Sequence, residues 1–179
     1  VGAIFSSNST YNKGAWVVHM LRHVLGDATF FQALQDYSAA QRGSSATTAE
    51  FLASFTATCG FDLAFFINQW VLAPGSPDYV WAWRPVQVSH VGDFVQLYIN
   101  QTQASRGFGP FTMPIDLRIT TGAGTKTVVV WTSSTQDSFT IPVDSPATLI
   151  EFDPDAWVLK HSVGTDAAPA FSPPCQGDA

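Results

Sequence analysis

The side chains that could do chemistry are few in this chain. His19 and His23 stand four residues apart, the spacing at which one helix face holds zinc. In metalloproteases a glutamate follows the first histidine and acts as general base, but here that position is Met20. The chain has only two glutamates, both in distant segments. We therefore predict that the two histidines lie on a polar helix face beside Arg22 and hold no metal.

Paired carboxylates are a second candidate. Asp153 and Asp155 flank Pro154, an arrangement that could hold calcium or supply an acid and a base. Asp-Pro-Asp is also an ordinary turn sequence, because aspartate bonds to nearby backbone and proline fixes φ. We favour the turn. The sequence has no G-x-S-x-G, C-x-x-C or phosphate-binding glycine loop.

Aromatic residues form a third candidate. Tyr79, Trp81 and Trp83 alternate along a predicted strand and therefore share one face of a sheet. Such a row can stack on a sugar or a peptide. Burial in a core or at a domain contact is the commoner role, and we favour it.

Tyr11-Asn12-Lys13-Gly14 opens the first predicted helix. A phenol at a rigid helix start can donate a hydrogen bond into a cleft. Phenols are ordinarily neutral at pH 7, so this one would stabilise an oxyanion as a donor and would not act as a base. From physics alone, structural packing is favoured for one tyrosine among four. We expect Lys13 and Gly14 to be structural, with Gly14 allowing close packing.

Apolar residues follow a helical spacing up to Pro74 and a spacing of two beyond it. Thr47 and Glu50 have the spacing of a capping box, in which each side chain accepts from a backbone N–H. The last helix is apolar nearly all round, which requires burial on several sides. The predicted helices cover residues 11–25, 27–41, 47–60 and 62–71.

The second part of the chain reads as an antiparallel β-sandwich, because short apolar runs alternate with turn residues. Residues 162–179 are rich in Ala, Ser, Pro and Gly, so we predict a disordered tail. Cys175 lies in that tail, and we expect it and Cys59 to be free thiols. The predicted strands cover residues 79–89, 94–102, 111–120, 127–132, 138–143, 148–152 and 157–161.

Composition limits the function classes. The 179 residues are 46% hydrophobic and 12% charged, with a net charge of −6. Nucleic-acid binders need clustered positive charge, and here no three consecutive residues are basic. No apolar run approaches the roughly 20 residues of a membrane helix. We predict no nucleic-acid partner and no membrane insertion.

Several segments, taken in order, resemble one known family. They are Tyr11–Arg22 (YNKGAWVVHMLR), Leu25–Asp27 with Phe30, the helix around Thr47–Phe51, Gly60–Leu63, Phe65–Val71, Gly75–Pro77, and Phe152–Asp155 with Trp157 and Leu159–Lys160. Together they resemble the part of the aminopeptidase N family of zinc peptidases (gluzincins) that follows the metal-binding helices. The resemblance covers roughly residues 10–161.

The resemblance implies an α+β multidomain fold. Residues 1–73 would be the helical end of a thermolysin-like catalytic domain, 74–78 a linker and 79–161 an antiparallel immunoglobulin-like β-sandwich. Tyr11 matches the catalytic tyrosine of the family. Its hydroxyl would stabilise the tetrahedral intermediate formed when zinc-activated water attacks the peptide carbonyl.

The zinc-binding parts of that family are missing from this sequence. It has no H-E-x-x-H, no downstream glutamate ligand and no G-A-M-E-N segment; we expect them to lie before Val1. The chain alone would then hold no cofactor and hydrolyse nothing. The parent enzyme would use zinc to remove N-terminal residues from a peptide substrate. The partner of this chain would be the N-terminal part of its catalytic domain.

A second hypothesis belongs to a different class. The chain would be a non-catalytic binding or scaffold module whose β-sandwich binds a ligand through Trp81 and Trp83. Either way, the surplus of apolar helices predicts an exposed apolar face through which the chain self-associates.

Overall fold

Helices fill the first part of the computed structural model, which describes residues 11–165. Tyr11 and Asn12 form a wide helical turn that leads directly into the first helix. None of the helices described has the length and apolar content needed to cross a membrane. They are α1 (Lys13–Leu25), α2 (Asp27–Ala40), α3 (Thr48–Cys59) and α4 (Ala64–Ile67), and α4 continues as a π-helical turn at Asn68–Leu72.

The helix ends follow local signals in the sequence. Gly26 and Gly60, which follow α1 and α3, have φ angles of 73° and 77°, a region that glycine enters without steric cost. The capping box is confirmed, because Thr47 N donates to Glu50 Oε2 at 2.7 Å and Glu50 N donates to Thr47 Oγ1 at 3.3 Å. These bonds satisfy donors that the helix start leaves without intrahelical partners.

The α4 helix and the π-helical turn are only partly buried, since Val71 and Leu72 are 43% and 70% exposed, so the prediction of burial on several sides is only partly right. Phe66 and Trp70 are fully buried. The helices cover one side, and Trp70 packs against Phe111 beyond the linker, with ring centroids 4.7 Å apart. The helical and β regions therefore share one apolar core.

Two sheets follow the linker. The strands described are β1 (Asp78–Val88), β2 (Gly92–Gln101), β3 (Met113–Thr121), β4 (Gly124–Thr132), β5 (Gln136–Val143), β6 (Ala147–Phe152) and β7 (His161–Thr165). A 3-10 turn at Gln103–Arg106 precedes β3. One sheet has the strand order β5-β2-β1-β7 and the other β4-β3-β6. All neighbours pair antiparallel except β1 and β7, which run parallel, so the prediction of a wholly antiparallel arrangement is wrong for β7.

The two sheets pack face to face. Leu97 and Ile99 of β2 and Leu117 and Ile119 of β3 alternate with more exposed residues and are fully buried, as side chains on inner faces must be. Tyr79 Oη lies 3.2 Å from Thr132 Oγ1 of the opposite sheet. The pKa of Tyr79 is raised, mainly by burial. This phenol therefore stays neutral and acts as a structural hydrogen-bonding group.

The last predicted strand is displaced. Residues 157–160 are not a strand, whereas residues 162–165, assigned to the tail, belong to β7; residues 166–179, with Cys175, lie outside the described part. The cause is Asp153, whose carboxylate accepts from Trp157 N at 2.8 Å and Val158 N at 3.1 Å. Because those N–H groups are engaged locally, the chain cannot pair there.

The aromatic row faces the core. Tyr79, Trp81 and Trp83 share one face of β1 as predicted, and they are 1%, 9% and 5% exposed. Trp81 stacks on Phe152 of the opposite sheet with centroids 5.2 Å apart. A ligand cannot reach these indoles, so the hypothesis of a binding module that uses Trp81 and Trp83 is wrong.

Gly164 gives Trp81 its space. The two residues are register partners in the β1–β7 pair, and a Cβ added at Gly164 would overlap the indole. We expect Gly164→Ala to lower the free energy of unfolding by about 1–3 kcal/mol, since the indole must shift in a packed core. Urea denaturation measures this. Gly122→Ala is the matched control, because its Cβ would lie at an ordinary 3.5 Å from Ser145 Oγ; equal stability of the two variants would contradict the prediction.

Candidate functional site

Tyr11 lies at the exposed end of α1. Its side chain is 58% exposed, and within residues 11–165 its hydroxyl has no hydrogen-bond partner. The wide turn at Tyr11 and Asn12 continues without a break into α1. A hydrogen-bond donor on a helix start is held more rigidly than one on a loop. The hydroxyl is therefore available to donate to a ligand.

An apolar groove runs along the same helix. Asn12, Ala15, Trp16 and His19 line a recess of about 380 Å³. Residues three and four apart lie on one face of a helix, so these four form a single stripe, and Tyr11 stands one turn before Ala15. The stripe suits an extended chain or a second apolar element that lies along α1 next to the phenol.

Lys13 and Gly14, which we expected to be structural, differ in their contacts. Lys13 Nζ donates to Ala73 O at 3.1 Å, across 60 residues of sequence. A Cβ at Gly14 would meet no described atom within 4 Å. The expectation that Gly14 allows close packing is therefore wrong within the described residues.

His19 and His23 are packed side chains on α1 and face a loop of the β region. Both rings stack on Trp157, with centroid distances of 4.6 Å and 4.8 Å. His19 Nε2 lies 3.3 Å from Ala156 O, and His23 Nε2 lies 3.2 Å from Asp116 Oδ1. The prediction of a polar helix face is thus only partly right, because that face is covered by protein.

These contacts do not suit zinc. In each histidine the Nε2 atom already faces a protein oxygen, and no group of three or more His, Cys, Asp or Glu side chains is gathered anywhere in residues 11–165. A zinc site needs at least three protein ligands. The pair therefore joins α1 to the β region.

The carboxylate that faces His23 was missed by sequence reasoning. Asp116 is 8% exposed and sits between two buried residues of β3. Burial raises the pKa of Asp116, the nearby carboxylates of Asp153 and Asp155 raise it further, and His23 opposes the shift. The one sequence signal was an acidic residue between the apolar residues Ile115 and Leu117. A buried charge needs a partner, so such a position predicts one.

Asp153 and Asp155 form the predicted turn and not a paired site. Asp153 is 4% exposed, caps the following backbone and pairs with Lys160. Asp155 points elsewhere and accepts from Arg118 at 3.0 Å. The two carboxylates bind different partners, so they cannot share one ion or one proton.

The raised pKa of Asp116 has a consequence for stability. A carboxyl group with a raised folded-state pKa stabilises the fold at low pH, and this contribution is lost as the pH rises through the raised value. Asp116→Asn removes this titration. We therefore expect the stability of the variant relative to the wild type to increase from pH 4 to pH 7 in urea denaturation. Asp144→Asn is the control at an exposed site, and a difference that falls with pH would contradict the prediction.

Comparison with known proteins gives a context for the helical region. Residues 1–70 match the Peptidase family M1 domain. Over 77 residues the chain is 29% identical to Aminopeptidase N of Lactococcus lactis subsp. lactis, which corresponds to 43% of this chain and 9% of that protein.

A solved structure resembles the fold. The crystal structure of Legionella pneumophila aminopeptidase A in complex with aspartic acid superposes with a TM-score of 0.69 at 16% identity. The match covers 92% of this chain and 19% of that one, so this chain spans only a small part of both relatives. The helical region, which includes Tyr11, is similar in sequence to the Peptidase family M1 domain, and the fold of the chain is similar to that of a solved aminopeptidase.

Proposed function

We propose that this chain is part of a longer zinc-dependent aminopeptidase that hydrolyses N-terminal peptide bonds. The observation that carries the proposal is the place of Tyr11: it is an exposed residue in the matched M1 segment, in the helical turn that leads into α1, and an apolar groove begins at the next residue. The fold similarity supports it for the whole described chain.

In this proposal Tyr11 is a transition-state donor. When a peptide carbonyl becomes tetrahedral, its oxygen gains negative charge, and a fixed O–H donor stabilises that charge more than the neutral carbonyl. The O–H of Tyr11 donates this hydrogen bond and keeps its proton. Tyr11 therefore lowers the barrier and is not the base.

Within residues 11–165 no three His, Cys, Asp or Glu side chains come together in one place. The zinc ligands would belong to other parts of the longer enzyme. We accordingly propose that the 179-residue chain alone is inactive. The test is to compare it with the longer protein: release of N-terminal residues by the longer protein alone, abolished by a chelator, supports the proposal. Chelator-sensitive release by this chain would overturn it.

We also propose a role for each part of the chain. Residues 1–73 complete the catalytic domain, 74–78 link, and 79–161 form an immunoglobulin-like sandwich that braces it, with β7 extending the second part. Two contacts support a fixed docking of the parts. Thr112 N donates to Gln69 Oε1 at 2.9 Å, and α1 rests on the loop that contains Trp157.

Tyr11→Phe tests the proposed role in the longer enzyme. We expect kcat to fall by about 10²–10³ with KM nearly unchanged, since the bond forms in the transition state. Steady-state kinetics on an N-terminal amino-acid amide measure this. Tyr98→Phe is the matched control, because Tyr98 lies on β2 of the β region. Full turnover in Tyr11→Phe would remove the residue from the mechanism.

The remaining catalytic part would cover a second apolar groove. Val18 and Val71, each more than 40% exposed, line a recess of about 310 Å³ with Phe51. We expect the isolated chain to self-associate and to bind a hydrophobic dye. Val71→Lys should weaken both, as measured by sedimentation and fluorescence, whereas Val91→Lys in the β1–β2 turn should not. A dye-free monomer of the wild-type chain would contradict this.

A further inference from the structure

Lys13 joins the first turn of α1 to a distant segment of the chain. It is the first residue of α1, and the wide helical turn at Tyr11 and Asn12 leads into it without a break. Its side chain is partly buried, and its ammonium group bonds outside its own helix.

The partner of the Lys13 ammonium group is the backbone of Ala73. Lys13 Nζ donates to Ala73 O at 3.1 Å. Ala73 follows the π-helical turn and closes it, since its own N–H donates to Asn68 O at 3.0 Å. The C-terminal end of a helix carries negative potential from its carbonyl groups. The ammonium group thus joins the start of the first helix to the end of the last one.

The receiving end of this contact is itself fixed. Gly75, two residues later, has a φ of 93°, and the Phe108 ring lies so close that a Cβ at Gly75 would be 2.7 Å from it. Gln69 of the π-helical turn binds Thr112 on the other side of the linker. Ala73 therefore offers a carbonyl group whose position is set by the β region.

We propose that Lys13 is a positioning residue for Tyr11, and that its bond to Ala73 O fixes the direction of the phenol. Tyr11 precedes Lys13 by two residues in the same helical turn, so a tilt of this turn moves the hydroxyl. This inference rests on the proposed function. It assigns Lys13 an effect on the reaction through Tyr11, without contact with the substrate.

Kinetics of the longer enzyme test this. Lys13→Met should lower kcat by about 10–10²-fold with little change in KM, because a donor displaced by about 1 Å loses much of its effect. Lys13→Arg, which can still donate to Ala73 O, should retain most of the wild-type kcat. Lys126→Met is the matched control, since Lys126 Nζ also donates to a backbone carbonyl, that of Pro142, at 2.9 Å. Unchanged kcat in Lys13→Met would overturn the inference.

A double-mutant cycle separates positioning from mere stability. If Lys13 acts through Tyr11, the double variant Tyr11→Phe/Lys13→Met should have the kcat of Tyr11→Phe alone. Multiplying losses would show an independent structural effect and overturn the inference. If Tyr11→Phe retains full turnover, the proposed role of Tyr11 fails; if only Tyr11→Phe is impaired, the role of Lys13 fails and that of Tyr11 stands.

A measurement on the 179-residue chain covers the case of poor expression of the longer variant. Hydrogen exchange at the amides of Ala15 and Trp16 should be at least several-fold faster in Lys13→Met than in Lys126→Met, because the first turn of α1 loses its tie to Ala73. Equal exchange in the two variants would overturn the inference.

Discussion

The docking of α1 on the loop before β7 is the constraint on which the site depends. Tyr11 stands at one end of this helix, and His19 and His23 hold its middle against Trp157. Ring stacking sets the distance between the helix and the loop and the plane of their contact, and His23 Nε2 lies 3.2 Å from Asp116 Oδ1. A helix held against the β region in this way can present a side chain at its end reproducibly, which is what transition-state stabilisation requires.

That platform exists because of one buried carboxylate. Asp153 is buried and has a φ of 47°, in the left-handed region. It binds two backbone N–H groups and Lys160. Burying a charge is tolerated only when it is paired and hydrogen-bonded, and here the bonds shape the loop that supports α1. The proposed catalytic residue thus depends on an aspartate more than 140 positions away in the chain.

Local features were predictable, and contacts between distant segments were not. Thr47 and Glu50 define a helix start through their spacing alone, and Leu97 marks an inner sheet face through alternation. Asp116 and Trp157 meet helix α1 across about a hundred residues, and no local pattern encodes that meeting. β7 pairs parallel with β1. Strand propensity does not determine with which neighbour a strand pairs. Tyr11 stood out only through the family resemblance, since its exposed phenol resembles any surface tyrosine.

The hydrogen bond from His161 N to Pro77 O, 3.1 Å long, joins the point where the chain enters the β region to the point where it returns for β7. The segment between Asp153 and His161 is therefore fixed at both ends, so its length is constrained. An insertion there would make the loop bulge outward or would shift the register of β7 against β1. Trp157 would then no longer stack on the histidines of α1. The number of residues in this segment is consequently as constrained as their types.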